Sequence, residues 1–108
     1  MKNEYRMKAG VWLYPGMAHS TSLGQAGAWY FITLPKKESA EIKERFKAMK
    51  RGWGSLPVTV TLGKTSWKTS IFPEKKSGSY LLPLKVEVRK KEGVKKGDTV
   101  SFSVIIRI

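Results

Sequence analysis

A chain of 108 residues with no cysteine has room for one packed domain, and it lacks disulfides, thiolate nucleophiles and sulfur-ligated zinc. Its formal net charge of +13, from 21 Lys and Arg against 8 Asp and Glu, favours polyanionic partners. The excess is uneven: three cations face one acid over residues 1–34, seven face three over 35–54, and eleven face four over 55–108.

The opening MKNEYRMKAGVWLYPG is interrupted by Glu4, Arg6 and Lys8 and carries no small-residue cleavage pattern, so it does not read as a signal peptide. No stretch of about 18 apolar residues runs unbroken, which excludes a helical membrane span. A cytoplasmic protein is expected, with residues 1–108 as a single domain. Tyr5, Met7, Ala9, Val11 and Leu13 share one parity and Arg6 and Lys8 the other, which predicts a half-buried strand. Residues 15–27 have no apolar period and are dominated by small and turn-forming types, a long loop. AWYFITLP (28–35) is apolar on both parities and predicts a central strand covered on both faces and closed by Pro35.

A helix is predicted over about 40–50, with Ser39 as N-cap and Ile42, Phe46 and Met49 on one face. Glu41 and Arg45 stand one turn apart, as an ion pair requires, and Gly52 follows the end. LPVTVTLG (56–63) and TSWKTSIFP (65–73) read as a hairpin about Gly63-Lys64, and SYLLPL (79–84) as a further strand. KVEVRKKEGV (85–94) satisfies both periodicities; its Gly93 and basic last turn favour a short helix near 85–92. Val100, Phe102, Val104, Ile106 and Ile108 alternate with Ser101, Ser103 and Arg107 in a last strand, where Ile105 points to partial cover on both sides. The class is mainly β: a small closed or partly open β-barrel of about six or seven strands with one long and one short helix.

Taken in order, WYFITLP, GWGSLPVTVTLG, WKTSIFPEKKSGSYLLPLK, VRKKEGVKKGD and TVSFSVI resemble the small bacterial and archaeal family catalogued as domain-of-unknown-function family 1905. The resemblance implies a small closed barrel with one or two helices, a helix at Lys85 to Glu92, and no established activity. Some members of that family carry the domain beside one associated with bacteriocin protection, a second half not present in these 108 residues. Separately, LPLKVEVRKKEGVKKGDTVSFSVI (82–105) is similar to the hairpin of AbrB-like transition-state regulators, which bind DNA as swapped dimers.

Catalytic motifs are wanting. His19 stands in the 15–27 loop without a nearby carboxylate or second histidine, and the acids are mostly interleaved with Lys and Arg rather than paired. Gly63-Lys64-Thr65 imitates the end of a phosphate loop, but Val58 stands where the first glycine belongs. No metal or cofactor is expected.

What remains is cations and aromatics. Lys85 and Arg89 would stand one helical turn apart, with Lys90, Lys91, Lys95 and Lys96 beside them and Trp53 as an exposed stacking residue. The expected function is a non-enzymatic module for an anionic partner, foremost nucleic acid, bound through phosphate contacts with little sequence readout. Trp29, Trp67 and Tyr80 lie within strands and read as core. The rival expectation is a small-molecule pocket or enzyme in the barrel mouth, using Trp67, Ser70, Tyr80 and Lys85 with His19 on a closing loop. A third reading takes the charge as colloidal stabilisation or adaptation to heat. Oligomeric state has no signature in the sequence, nor whether the last strand pairs within one chain or between two.

Overall fold

In the computed structural model, which describes residues 3–14, 29–47 and 54–107, six strands close into a barrel. They are β1 (Glu4–Tyr14), β2 (Trp29–Thr33), β3 (Leu56–Leu62), β4 (Thr65–Pro73), β5 (Tyr80–Leu84) and β6 (Thr99–Ile106), with α1 (Lys36–Arg45) after β2 and α2 (Val86–Glu92) after β5. Around the barrel the order is β1-β2-β5-β4-β3-β6, every pairing antiparallel. β6 pairs with β1 and β3 of its own chain, so the segment similar to the swapped regulators closes this barrel internally.

The period-2 patterns decide which residues fill the interior. Val58, Val60, Ile71, Leu82 and Val104 are fully buried, and the registers set Val60 opposite Val104, Val58 opposite Ile106, Ile71 opposite Leu56 and Leu82 opposite Ile32, all of them buried. Tyr80 is buried and Trp67 half-buried against this core, as their place in strands predicts. Ile105 departs from expectation. At 37% exposure it faces outward, because the parity that places Val104 and Ile106 inside leaves it no cover.

The two helices cover opposite ends. β2 runs from Tyr30, beneath α2, to Thr33, which leads through Leu34 and Pro35 into α1. The first helix begins four residues before the predicted start at 40. Pro35, with φ −56° and ψ 150°, is its N-cap, and the Ser39 N–H already donates to the Pro35 carbonyl at 2.9 Å. Ser39 is therefore inside the helix and fully buried: its hydroxyl accepts the Tyr80 N–H at 3.1 Å and lies 3.4 Å from the Leu34 carbonyl. Ile42 and Phe46 carry the buried face onward; Met49 and Gly52 lie outside the described residues. Among the described residues the ion pair at the end of this helix is Glu44 with Lys47, just past its last turn, at 3.2 Å, rather than Glu41 with Arg45.

α2 forms where one was expected and stops at Gly93, whose φ of 65° is the left-handed region that glycine enters without strain. The Gly93 and Val94 amides both donate to the Arg89 carbonyl, and Val94 folds back into the core. Glu92 then ties the helix to the β3–β4 turn: its carboxylate accepts the Lys64 N–H at 3.2 Å and the Thr65 hydroxyl at 2.6 Å.

Candidate functional site

The outer wall of the barrel carries a groove of about 690 Å³ across β2, β5 and β4. Its origin lies in the pairing. β4 and β5 share only Phe72↔Leu81 and Pro73↔Tyr80, although β4 has nine residues and β5 five. Further along β5 stands Pro83, which has no N–H for a ladder. Beyond the two pairs, Lys68, Thr69 and Ser70 of β4 and Pro83 and Lys85 on the β5 side line the groove.

The floor is apolar: Phe31, Phe72, Leu81 and Pro83. The registers Phe31↔Pro83 and Phe72↔Leu81 place these side chains on the outer face, with Ile32, Ile71 and Leu82 behind them inside the barrel. Phe72 is 42% exposed, whereas its chain neighbour Ile71 is fully covered. Phe31 is half-buried and packs against Trp12, ring centroids 5.3 Å apart at 31°, while the Trp12 indole N–H donates to the Thr33 hydroxyl at 2.9 Å. Phe31, on the outer parity of β2, is thus not on a second fully covered face, as its sequence implied; it lines an open groove.

Three cations, Lys68, Lys85 and Arg107, line this groove, and no carboxylate does. Arg107 is fixed alongside β3 by its N–H, which donates to the Pro57 carbonyl at 2.8 Å. With no opposite charge among the lining groups, the three cations leave an uncompensated positive field over an apolar floor.

The residues singled out from the sequence are distributed around this feature. Lys85, the N-cap of α2, lines the groove, as does Ser70. Arg89 instead lies over the Tyr30 ring, its guanidinium carbon 3.8 Å from the centroid, a cation–π contact at the mouth of the barrel. Its Nε is buried without a hydrogen-bond partner among the described residues. Lys90 is exposed on α2, and Lys91 lines a shallow depression with Lys64, Thr65, Ser66 and Glu92. Lys95 and Lys96 are exposed on the turn before β6, where Asp98 accepts the Lys95 N–H at 2.8 Å. Trp53 and His19 lie outside the described residues. Of the barrel-mouth set, Trp67 and Tyr80 face the interior while Ser70 and Lys85 face the outer groove. Burial holds the Tyr80 phenol above its usual pKa of 10.0, and its hydroxyl has no hydrogen-bond partner among the described residues.

Lys68 stands beside Trp67 in the sequence, a cation next to an aromatic, while Phe31, Phe72, Leu81, Pro83 and Arg107 are groove residues that sequence reasoning passed over. Their signal was parity. Phe72 and Lys68 stand on the β4 parity opposite to Ile71, and Phe31 on the β2 parity opposite to Ile32.

The profile of the family described as Domain of unknown function (DUF1905) matches residues 8–104, nearly the whole chain. The chain belongs to that family. In this DUF1905 member the match runs from Lys8 in β1 to Val104 in β6 and so takes in part of the first and last strands, the other four strands, both helices and all of the groove except Arg107. No curated protein matches the chain.

Proposed function

We propose that the protein is a non-enzymatic binding module for an anionic partner, foremost nucleic acid, held in the outer groove by phosphate contacts. The observation that carries this reading is the lining itself: an apolar floor with Lys68, Lys85 and Arg107 at its sides and no carboxylate. A chain of net charge +13 steers polyanions toward such a place and gains from counterion release when they bind. Contacts of this kind fix position on the phosphate backbone without reading sequence.

The test is a titration of a labelled 20-mer, single- and double-stranded, across a range of salt. Binding should weaken linearly on a log–log plot, each phosphate contact contributing a slope of roughly −0.7 on a single strand. Replacing Lys68 and Lys85 together by Ala should make the slope shallower by about 1.4 on the same basis. Unchanged slope and affinity in the double variant, or no binding at low salt, would overturn the proposal.

A small anionic ligand is the second reading, favoured by the size of the groove, since about 690 Å³ lies within the range of small-molecule sites. Ser70 and Lys85 would contribute to it from the outer wall, with Trp67 and Tyr80 only behind it in the core. It predicts saturation by a mononucleotide or similar small anion that competes with the 20-mer.

A further inference from the structure

Resting on the nucleic-acid reading above, we infer that the groove selects single strands, because it offers two separate platforms for unpaired bases, Phe72 and Phe31, beside its cations. The two rings stand on strands separated by β5. Phe72 is opposite Leu81 and Phe31 opposite Pro83, so they differ by two strand spacings across the sheet and two residues along it. That is roughly 10 Å sideways and about 7 Å lengthwise. At that backbone spacing the rings offer places for two different bases, with Leu81 and Pro83 as apolar floor between them.

The platforms differ in build. Phe72 is 42% exposed on a β-strand whose other face is the barrel core, a position that gains little in the free protein from a large aromatic side chain. Phe31 is braced by Trp12, which the hydrogen bond to Thr33 anchors in turn, so this ring is already oriented before a ligand arrives. The cations lie beside the rings rather than on top of them. Lys68 stands four residues before Phe72 on the same strand and the same face, and Lys85 follows β5 two residues after Pro83. A single strand presents this combination, planar apolar faces alternating with negative charges. A duplex does not, since its base faces are hidden in the stack. An anionic membrane offers no planar faces for the two rings to stack on.

The experiment compares three probes by fluorescence anisotropy at each of several salt concentrations: an oligothymidylate of about ten nucleotides, within the footprints of roughly 4–16 nucleotides that small barrels cover, its abasic counterpart with the same phosphodiester chain, and the matching duplex. The oligothymidylate should bind about tenfold or more tightly than the abasic chain, the gain expected of stacking even one base. Phe72→Ala should remove the share of that advantage owed to its ring, several-fold in affinity, with Phe31 keeping its own share, while leaving abasic binding and its salt slope unchanged, and Phe72→Tyr, which keeps a ring, should retain it. Equal binding of the two single-stranded probes, or a Phe72→Ala loss that falls on both alike, would overturn the inference. If both probes bind equally but still depend on Lys68 and Lys85, the proposed function stands and only base stacking fails. If neither binds at low salt, both fall. If phosphatidylserine vesicles capture the protein in a Phe72-dependent way while oligothymidylate does not bind, the groove is a lipid surface and both fall together.

Discussion

Replacing Ser39 by Ala isolates a single buried link between α1 and the barrel. In the native protein the Ser39 hydroxyl accepts the Tyr80 N–H at 3.1 Å, and both residues are buried, at 0% and 2% exposure. Removing the hydroxyl leaves that amide without a partner in a region that water does not reach, at a cost of about 1–3 kcal/mol. Against this, Ala is the better helix former in mid-helix by about 0.5 kcal/mol. The net loss should be about 0.5–2.5 kcal/mol. For a chain of 108 residues a central value lowers the melting temperature by roughly 6 °C. Urea unfolding gives the free energy, and hydrogen exchange gives the local signature, because the Tyr80 amide should exchange faster while amides in the centre of β3 follow the global change. A variant as stable as the parent, with unaltered Tyr80 exchange, would refute the reasoning.

Two further outcomes follow from the turns and the phenols. Gly93→Ala forces a left-handed residue at φ 65° but meets nothing within 4 Å, so it should cost about 1 kcal/mol. Gly63→Ala has the same backbone strain at φ 62°, and its Cβ would also overlap the Glu92 carboxylate, displacing it from Lys64 and Thr65. It should cost about 1 kcal/mol more than Gly93→Ala in chemical denaturation, and the excess should vanish in a Glu92→Ala background; equal costs would remove the latch from the account. For the phenols, burial raises Tyr80, and burial with Glu41 raises Tyr5 against an opposing effect of Arg45. The unfolded chain then ionises first, near 10.0, so stability is fully kept below that pH and declines as pH rises through the folded values. The urea midpoint should fall between about pH 9 and about pH 11, less so in Tyr80→Phe, which at neutral pH should gain about 1 kcal/mol by losing a hydroxyl that has no hydrogen-bond partner. A midpoint that holds steady across that range would contradict this.

The strands were legible because each carries its own period: Val58, Val60 and Leu62 against Thr59 and Thr61 require no knowledge of the rest of the chain. Gly93 likewise marks its own helix end. What eluded the sequence depends on partners far along the chain. Ser39 looks like a cap because serine in that context usually is one; its actual partner, Tyr80, is 41 residues away. Arg89 reads as a free cation until Tyr30 is placed beneath it. Lys85 and Ser70, singled out for a barrel mouth, both line the outer groove, whereas Phe31, Phe72 and Arg107 carry no local mark that joins them to it. The groove arises from a pairing that covers two residue pairs between β4 and β5, and which strands become neighbours is not written in any local pattern.

Because β1 is the neighbour of β6, the first strand made is hydrogen-bonded to the last, with Glu4 opposite Ile105. Closing that seam brings together residues about a hundred positions apart, a search that the hairpin of β3 and β4 does not face, so ring closure is expected to be the slow step of folding. Until β6 emerges from the ribosome, β1 presents an open hydrogen-bonding edge to every other nascent copy. Glu4, Arg6 and Lys8, all exposed on its outward side, put charged, strongly hydrated side chains along the strand that must wait longest, and the cost of stripping water from them disfavours the intermolecular pairing that a bare apolar edge invites.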